Sequence, residues 1–263
     1  WAGADVKRFQ DEPAKDIVLP QSYRIPSAVQ NIANCILNRI PDHRRIKKEW
    51  SARPEEGYVE YVTSIEDVPV NSGDWLILAR TNDKLRKLGP TLKEMGIYFE
   101  IKGRKSYKTR LYRSIQDYTR WTNGDKLSLS ECKDLFEFLG VDKTLTDERM
   151  YDLGEFGFSF TDHWYEVFQA DPEECLYIRE MMRNEEKLSQ DARVKLSTIH
   201  AAKGGEATNV LIILDNTKKI RDAVDKSLDK QDEEHRVWYV GVTRTKQNLY
   251  IMEAKREDKG YDI

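Results

Sequence analysis

Nowhere in this 263-residue sequence is a Gly followed by a Lys. The phosphate-cradling loop G-x-x-x-x-G-K-[ST] is therefore absent, and any nucleotide chemistry must find its main phosphate cradle on another lobe. Cysteine is nearly absent too. Cys35, Cys132 and Cys175 lie far apart, form no C-x-x-C pair and have no run of histidines beside them. That excludes a zinc cluster or a disulfide framework and leaves reduced core thiols. No apolar run is long enough to span a bilayer, and no charged-then-apolar leader opens the chain. These absences lead us to expect a reducing, cytoplasmic setting. An opening Trp in place of Met leads us to expect a segment of a longer polypeptide. Net charge is small as well: at −3 it gives no global attraction for nucleic acid, so any such contact needs a local patch.

What is present fits a folded α/β protein. Hydrophobic content of 39% is low and charged content of 34% is high, a balance compatible with a very soluble globular chain. Residues 1–16 carry little periodicity and read as a linker. Ile17-Val-Leu-Pro20 reads as a short strand, and Pro26 opens a helix to about Arg39. Tyr58–Val62 alternates like a half-buried strand. Trp75–Ala79 is continuously apolar, as a strand buried on both faces should be. A helix over Asn82–Met95, a stop at Gly96 and a strand at Ile97–Ile101 complete a strand–helix–strand unit, the building block of a parallel sheet.

Helical character resumes over Tyr107–Trp121. The texture then changes between Asn123 and Gln190, where helical patterns at Leu127–Leu139, Thr161–Phe168 and Pro172–Leu188 are joined by turns. An aromatic cluster at Phe156, Phe158, Phe160 and Trp164 reads as the core of this segment. No strand is expected there. Strands are expected again at Val194–Thr198, Asn209–Leu214 and Asn248–Met252, with a helix over Asp232–Thr245. The charged stretch 217–236 reads as a solvated loop leading into that helix.

Two blocks carry the chemistry. Leu196-Ser-Thr-Ile-His-Ala-Ala-Lys-Gly-Gly-Glu206 runs from a strand into a Gly-containing turn bearing a base and an acid. Glu233-Glu-His-Arg-Val-Trp-Tyr-Val-Gly-Val-Thr-Arg-Thr-Lys246 reads as a helix with Arg244 on the face of Val237 and Val240. Together they resemble motifs V and VI of the UvrD/Rep-type superfamily 1 DNA helicases. Trp1-Ala-Gly-Ala-Asp5 resembles the end of motif III, and Leu19-Pro-Gln-Ser-Tyr-Arg24 resembles motif IV. Ala79-Arg-Thr-Asn82 and Gly96–Gly103 are similar to the strand and helix after motif IV. The matches run in family order over residues 1–122 and 192–254, with departures at Ala2, where relatives often have Arg, and at Gly205, where an apolar residue is usual.

The resemblance implies the second RecA-like (P-loop NTPase-like) domain, 2A, of an ATP-dependent DNA helicase: a parallel sheet flanked by helices over 17–122 and 191–263. A short helical insertion at 123–190 would correspond to 2B, and residues 1–16 to the linker from an N-terminal RecA-like domain. That missing domain would hold ATP and most ligands of Mg²⁺, while single-stranded DNA and duplex junctions are the implied partners. Arg24 and Arg244 are implied to reach the γ-phosphate, a role worth about 10³–10⁵ in rate for phosphoryl transfer. Tyr23 is implied to pack on adenine and Glu206 to lie near the ribose and phosphates. Thr198, His200 and Lys203 are implied to touch the DNA backbone, and Trp1 to stack on a base. Read without the family, each residue has a plainer alternative. The arginines could pair with acids of their own domain, Tyr23 could be a core tyrosine, Glu206 could be solvated and Trp1 frayed. A helicase-like scaffold that has lost its motor is the rival at the level of function.

Overall fold

The computed structural model describes residues 19–45, 49–156, 163–254 and 260–263. Seven strands form the main sheet: β3 (Tyr58–Val62), β4 (Trp75–Ala79), β5 (Phe99–Ile101), β6 (Arg104–Lys105), β9 (Val194–Thr198), β10 (Ala207–Ile213) and β11 (Thr245–Met252). Their spatial order is β3-β11-β10-β4-β9-β5-β6, and every neighbouring pair is parallel except β5 with β6. The sheet is thus the mostly parallel, helix-flanked sheet of an α/β RecA-like fold.

Alternation within the apolar runs builds two cores, one on each face. Leu76, Leu78, Val210, Ile212, Leu249 and Ile251 face one side and meet Val29, Ala33 and Ile36 of α1 (Ser27–Leu37) with Val237, Trp238 and Val242 of α8 (Leu228–Val242). Ile77, Ala79, Leu211, Ile213, Tyr250 and Met252 face the other side and meet Leu85 and Leu92 of α2 (Asn82–Glu94). β4 is buried at every position, which is why its sequence reads as an unbroken apolar run.

A third core is helical. It joins α3 (Thr109–Thr122), α4 (Leu129–Leu139), α5 (Trp164–Val167) and α6 (Pro172–Arg183) around Trp121, Leu135, Ile178 and Met181. Ser128 starts α4 with a capping box, its backbone N–H donating to Glu131 Oε2 at 2.7 Å. Among the described residues of 123–190, these helices are accompanied by an unforeseen antiparallel ladder of two residues a strand, β7 (Leu127–Ser128) with β8 (Met150–Tyr151). Phe156 and Trp164 pack in this core as expected; Phe158 and Phe160 lie outside the described residues.

Three local expectations need correction. Of the expected strand Ile17–Pro20, Ile17 and Val18 lie outside the described residues and Leu19 and Pro20 are not in a strand; β1 spans Gln21–Pro26, pairs in parallel with β2 (Ser51–Arg53), and contains Arg24 rather than preceding it. Its start is held by Gln21, whose side-chain amide donates to Ala52 O at 2.7 Å. The charged stretch 217–236 is not a loop. It forms α7 (Lys218–Lys226), capped by Thr217, and the first turns of α8, capped by Ser227. Finally, α8 ends at Val242, so Arg244 sits in the link to β11 and not on the helix. Among the described residues no helix is long and apolar enough to cross a membrane.

Candidate functional site

The site is set by the register of two neighbouring strands. Ala207 opens β10 opposite Thr245 of β11, and the Ala207 N–H donates to Arg244 O at 3.2 Å. Glu206, one residue earlier, is thereby brought between Arg244 and Lys246. Its Oε1 lies 2.9 Å from Lys246 Nζ and its Oε2 3.2 Å from Arg24 Nη1. Three cations and one carboxylate share this edge of the sheet.

Arg244 is held by neutral acceptors. Its Nε donates to Val240 O at 2.9 Å, and Nη2 and Nη1 reach Thr243 Oγ1 at 3.4 Å and Gly205 O at 3.5 Å. Burial, then the nearby Arg24 charge, lowers its pKa below that of a free guanidinium, but an arginine stays charged at neutral pH. Lys246 first, and Arg24 second, hold the Glu206 carboxyl below the usual carboxylate range. Arg24 Nε is buried without a hydrogen-bond partner. Tyr239 joins the cluster from α8, its phenol pushed up by burial. Tyr23 stands beside Arg24 on β1 with its ring 88% exposed, which is not a core position.

A second group lies at the opposite ends of the strands. Thr198 closes β9 beside Ala79 of β4, and its Oγ1 accepts from Ala201 N–H at 3.3 Å. His200 Nδ1 is 3.3 Å from Arg80 Nη1; burial and then the Arg80 charge lower its pKa. Arg80 Nε in turn meets both oxygens of the buried Glu234 at 3.0 Å. Arg80, His200 and Lys219 line a cleft of about 320 Å³ between α7 and α8. Lys203 lies exposed in the turn beyond His200. Trp1 lies outside the described residues.

The two groups are ends of one short segment. From Thr198 to Glu206 the chain crosses a face of the sheet, burying Ile199 and Ala202 in the α1–α8 core. Gly204 turns it at φ +91°, the left-handed region that favours glycine. Gly241 lets α8 lie close above, since a Cβ there would come within 2.7 Å of Ile212 Cδ1 and 3.3 Å of Ile199 Cδ1. This packing holds the strap between the two ends.

The structure therefore gathers Arg24, Arg244 and Glu206 at one edge, with Tyr23 exposed on the adjoining position of β1, and sets Thr198, His200 and Lys203 along the strap. Sequence reasoning missed Lys246, which lies inside the 233–246 block but declares itself only through the β10–β11 register. It also missed Glu234, whose partner Arg80 is remote in sequence. The donor set at the first edge fits a polyphosphate: three cations share one ion-paired acid, Glu206, with Asp74 as a further charge near Lys246, and one guanidinium nitrogen lacks an acceptor. No group of His, Cys, Asp and Glu able to hold a metal ion occurs among the described residues.

Comparison with known families gives one match that bears on these positions. Residues 171–256 match the UvrD-like helicase C-terminal domain, a stretch that holds α6, β9 to β11, the strap and both chemistry-bearing blocks. No curated protein matches the chain.

Proposed function

Because residues 171–256 match the UvrD-like helicase C-terminal domain, we propose that this chain is the second motor lobe of an ATP-dependent DNA helicase. In this reading ATP and its Mg²⁺ sit mainly on an N-terminal RecA-like domain that carries the phosphate loop. Arg24 and Arg244 reach across to the γ-phosphate, Tyr23 packs on adenine, and Glu206 accepts from the ribose. Mg²⁺, when bound, neutralises phosphate charge; this chain's residues supply position and further positive charge. Thr198, His200 and Lys203 contact the backbone of single-stranded DNA, and the strap couples that grip to the nucleotide edge. Closing and reopening of the two lobes would then step the enzyme along the strand and unwind duplex.

The observation that carries this reading is the gathering of Arg24 and Arg244 on one edge, with Arg244 bonded only to neutral acceptors. Arg80, by contrast, is paired with the buried Glu234 of its own lobe. The test is strand-dependent ATPase in the protein carrying both lobes. Arg244→Ala should reduce turnover by about 10³-fold or more with nucleotide affinity largely kept. Unchanged turnover would remove the assignment and favour a scaffold. The 263-residue chain alone should not hydrolyse ATP, and Mg²⁺-dependent turnover by it would refute the two-lobe picture.

A further inference from the structure

Two arginines that tie this fold together, Arg110 and Arg193, engage acceptors through three nitrogens each. Arg110 meets Asp134 and Glu137 through three nitrogens at 2.6–3.0 Å. Arg193 meets Glu186 twice, at 2.5 and 3.2 Å, and the Val70 carbonyl at 2.6 Å. Arg24 differs. It has one contact with Glu206 at 3.2 Å, and its buried Nε has no partner. That Glu206 contact is also contested, because the other carboxylate oxygen is taken by Lys246 at the shorter distance of 2.9 Å.

Charge governs how this edge responds to a ligand. Arg24, Arg244 and Lys246 surround the Glu206 carboxylate, with the neutral phenol of Tyr239 and hydroxyl of Thr243 alongside; Asp74, which accepts from Thr208 N–H, is a second acid within electrostatic reach of Lys246. An arriving polyphosphate competes with Glu206 for Arg24 and repels the carboxylate at the same time. If Arg24 were the sole partner of Glu206, freeing the arginine would leave that acid uncompensated beside the phosphates. Lys246 removes the conflict. It is the second residue of β11, fixed laterally to Glu206 by the Ala207–Thr245 pair, so it can keep the carboxylate when Arg24 leaves.

We infer that Lys246 is a positioning residue: it retains Glu206 while Arg24 transfers from that carboxylate to the polyphosphate of the bound nucleotide. The inference rests on the two-lobe motor reading above and names a residue outside the expected site. In the absence of nucleotide, the Arg24–Glu206 pair is a weak restraint that the ligand undoes. Lys246 sets how weak it is.

The experiment uses the protein carrying both lobes, with ATP and single-stranded DNA, and compares Lys246→Met, Lys246→Arg, Glu206→Gln and the double variant Lys246→Met/Glu206→Gln. Lys246 is 43% exposed, so its variants should keep the wild-type melting temperature. Lys246→Met should lower kcat/KM for ATP about tenfold, the scale of one charge-assisted contact, mainly through kcat. Lys246→Arg should retain most activity. The double variant should recover to the level of Glu206→Gln alone, because removing the acid's charge removes the need for its holder. Unchanged turnover in Lys246→Met overturns the inference. A double variant no better than Lys246→Met also overturns it, making Lys246 a direct phosphate ligand. Arg244→Ala is run beside these variants: if it too leaves turnover unchanged, the motor reading itself has failed.

Discussion

Trp238 donates its indole Nε1–H to Glu234 Oε1 at 2.9 Å from one turn further along α8. The same carboxylate receives Arg80 from the end of β4 and, through it, faces His200 at the end of β9. Helix α8, the centre of the sheet and the start of the strap thus meet on one buried acid.

Removing that acid should be expensive. Glu234→Leu would leave the Trp238 N–H buried without an acceptor and Arg80 without its carboxylate. Breaking a buried pair from one side typically costs about 3 kcal/mol, here moderated because the Arg80 side chain is 20% exposed. Glu234→Gln, which keeps an acceptor, should cost roughly half as much. Urea denaturation checks both, and adding Arg80→Met to Glu234→Leu should recover part of the loss. Equal stability of Glu234→Leu and wild type would show that the network is incidental.

Much of the fold was legible because burial on both faces writes a plain pattern. Trp75–Ala79 and the Leu249–Met252 half of β11 are continuous apolar runs and became central strands. The site was legible as residue types in order, but its partnerships were not. Lys246 and Glu206 meet through strand register, and Arg80 meets Glu234 through the packing of α8 on the sheet. Helix α7 was missed for a different reason: its apolar stripe is only Ile220, Ala223 and Val224, none fully buried, set among charged residues in KKIRDAVDK. Arg244 was put on a helix because its spacing from Val237 and Val240 suits one. The helix stops sooner, where the β-branched Thr243 and Thr245 are buried and Ala207 pairs with Thr245.

Gly241 makes a sharper packing prediction. A methyl group there would press on Ile212 Cδ1 at 2.7 Å inside a closed core. Overpacking of this kind costs roughly 1–3 kcal/mol, partly offset by about 1 kcal/mol of helix propensity gained over glycine. Gly241→Ala should therefore destabilise the protein by about 1 kcal/mol. In an Ile212→Val background, which deletes the crowded Cδ1, the same substitution should cost less or become stabilising. A larger penalty in that background would exclude this contact as the cause.

The helical segment should not melt separately from the sheet. Tyr177 of α6 donates to Ile97 O at 2.7 Å and lies 2.6 Å from Ser106 Oγ, while Glu174 accepts from Lys108 N–H at 2.6 Å and from Lys93 Nζ at 3.1 Å. Four residues from the sheet side are thus tied to one helix. Tyr177→Phe should lower stability by about 1–2 kcal/mol, because a buried carbonyl loses its donor. The unfolding should remain a single transition by both far-ultraviolet circular dichroism and tryptophan fluorescence. Two separated transitions in the wild type would contradict the coupling.

Stability should fall as the solution is acidified through the histidine range. His200 and His235 both hold their protons less tightly in the fold than the ordinary value of 6.5. Burial is the first cause for each. Arg80 adds to it at His200; Arg39 and Arg236 add to it at His235, where Asp232 opposes them. Well above that value both states are neutral at these positions and nothing is gained or lost. As the pH drops below about 6.5, the unfolded chain binds protons that the folded chain refuses, so unfolding is favoured. Urea midpoints should accordingly decrease between about pH 7.5 and 5.5, a window above the range where the carboxylates titrate. His235→Gln gives up the 2.6 Å contact with Tyr261 and so shifts every midpoint, but the slope against pH is the informative quantity. It should become shallower because one of the two proton-linked sites is gone. A slope unchanged by His235→Gln, or a wild-type midpoint that rises on acidification, would show that these imidazoles do not control acid stability.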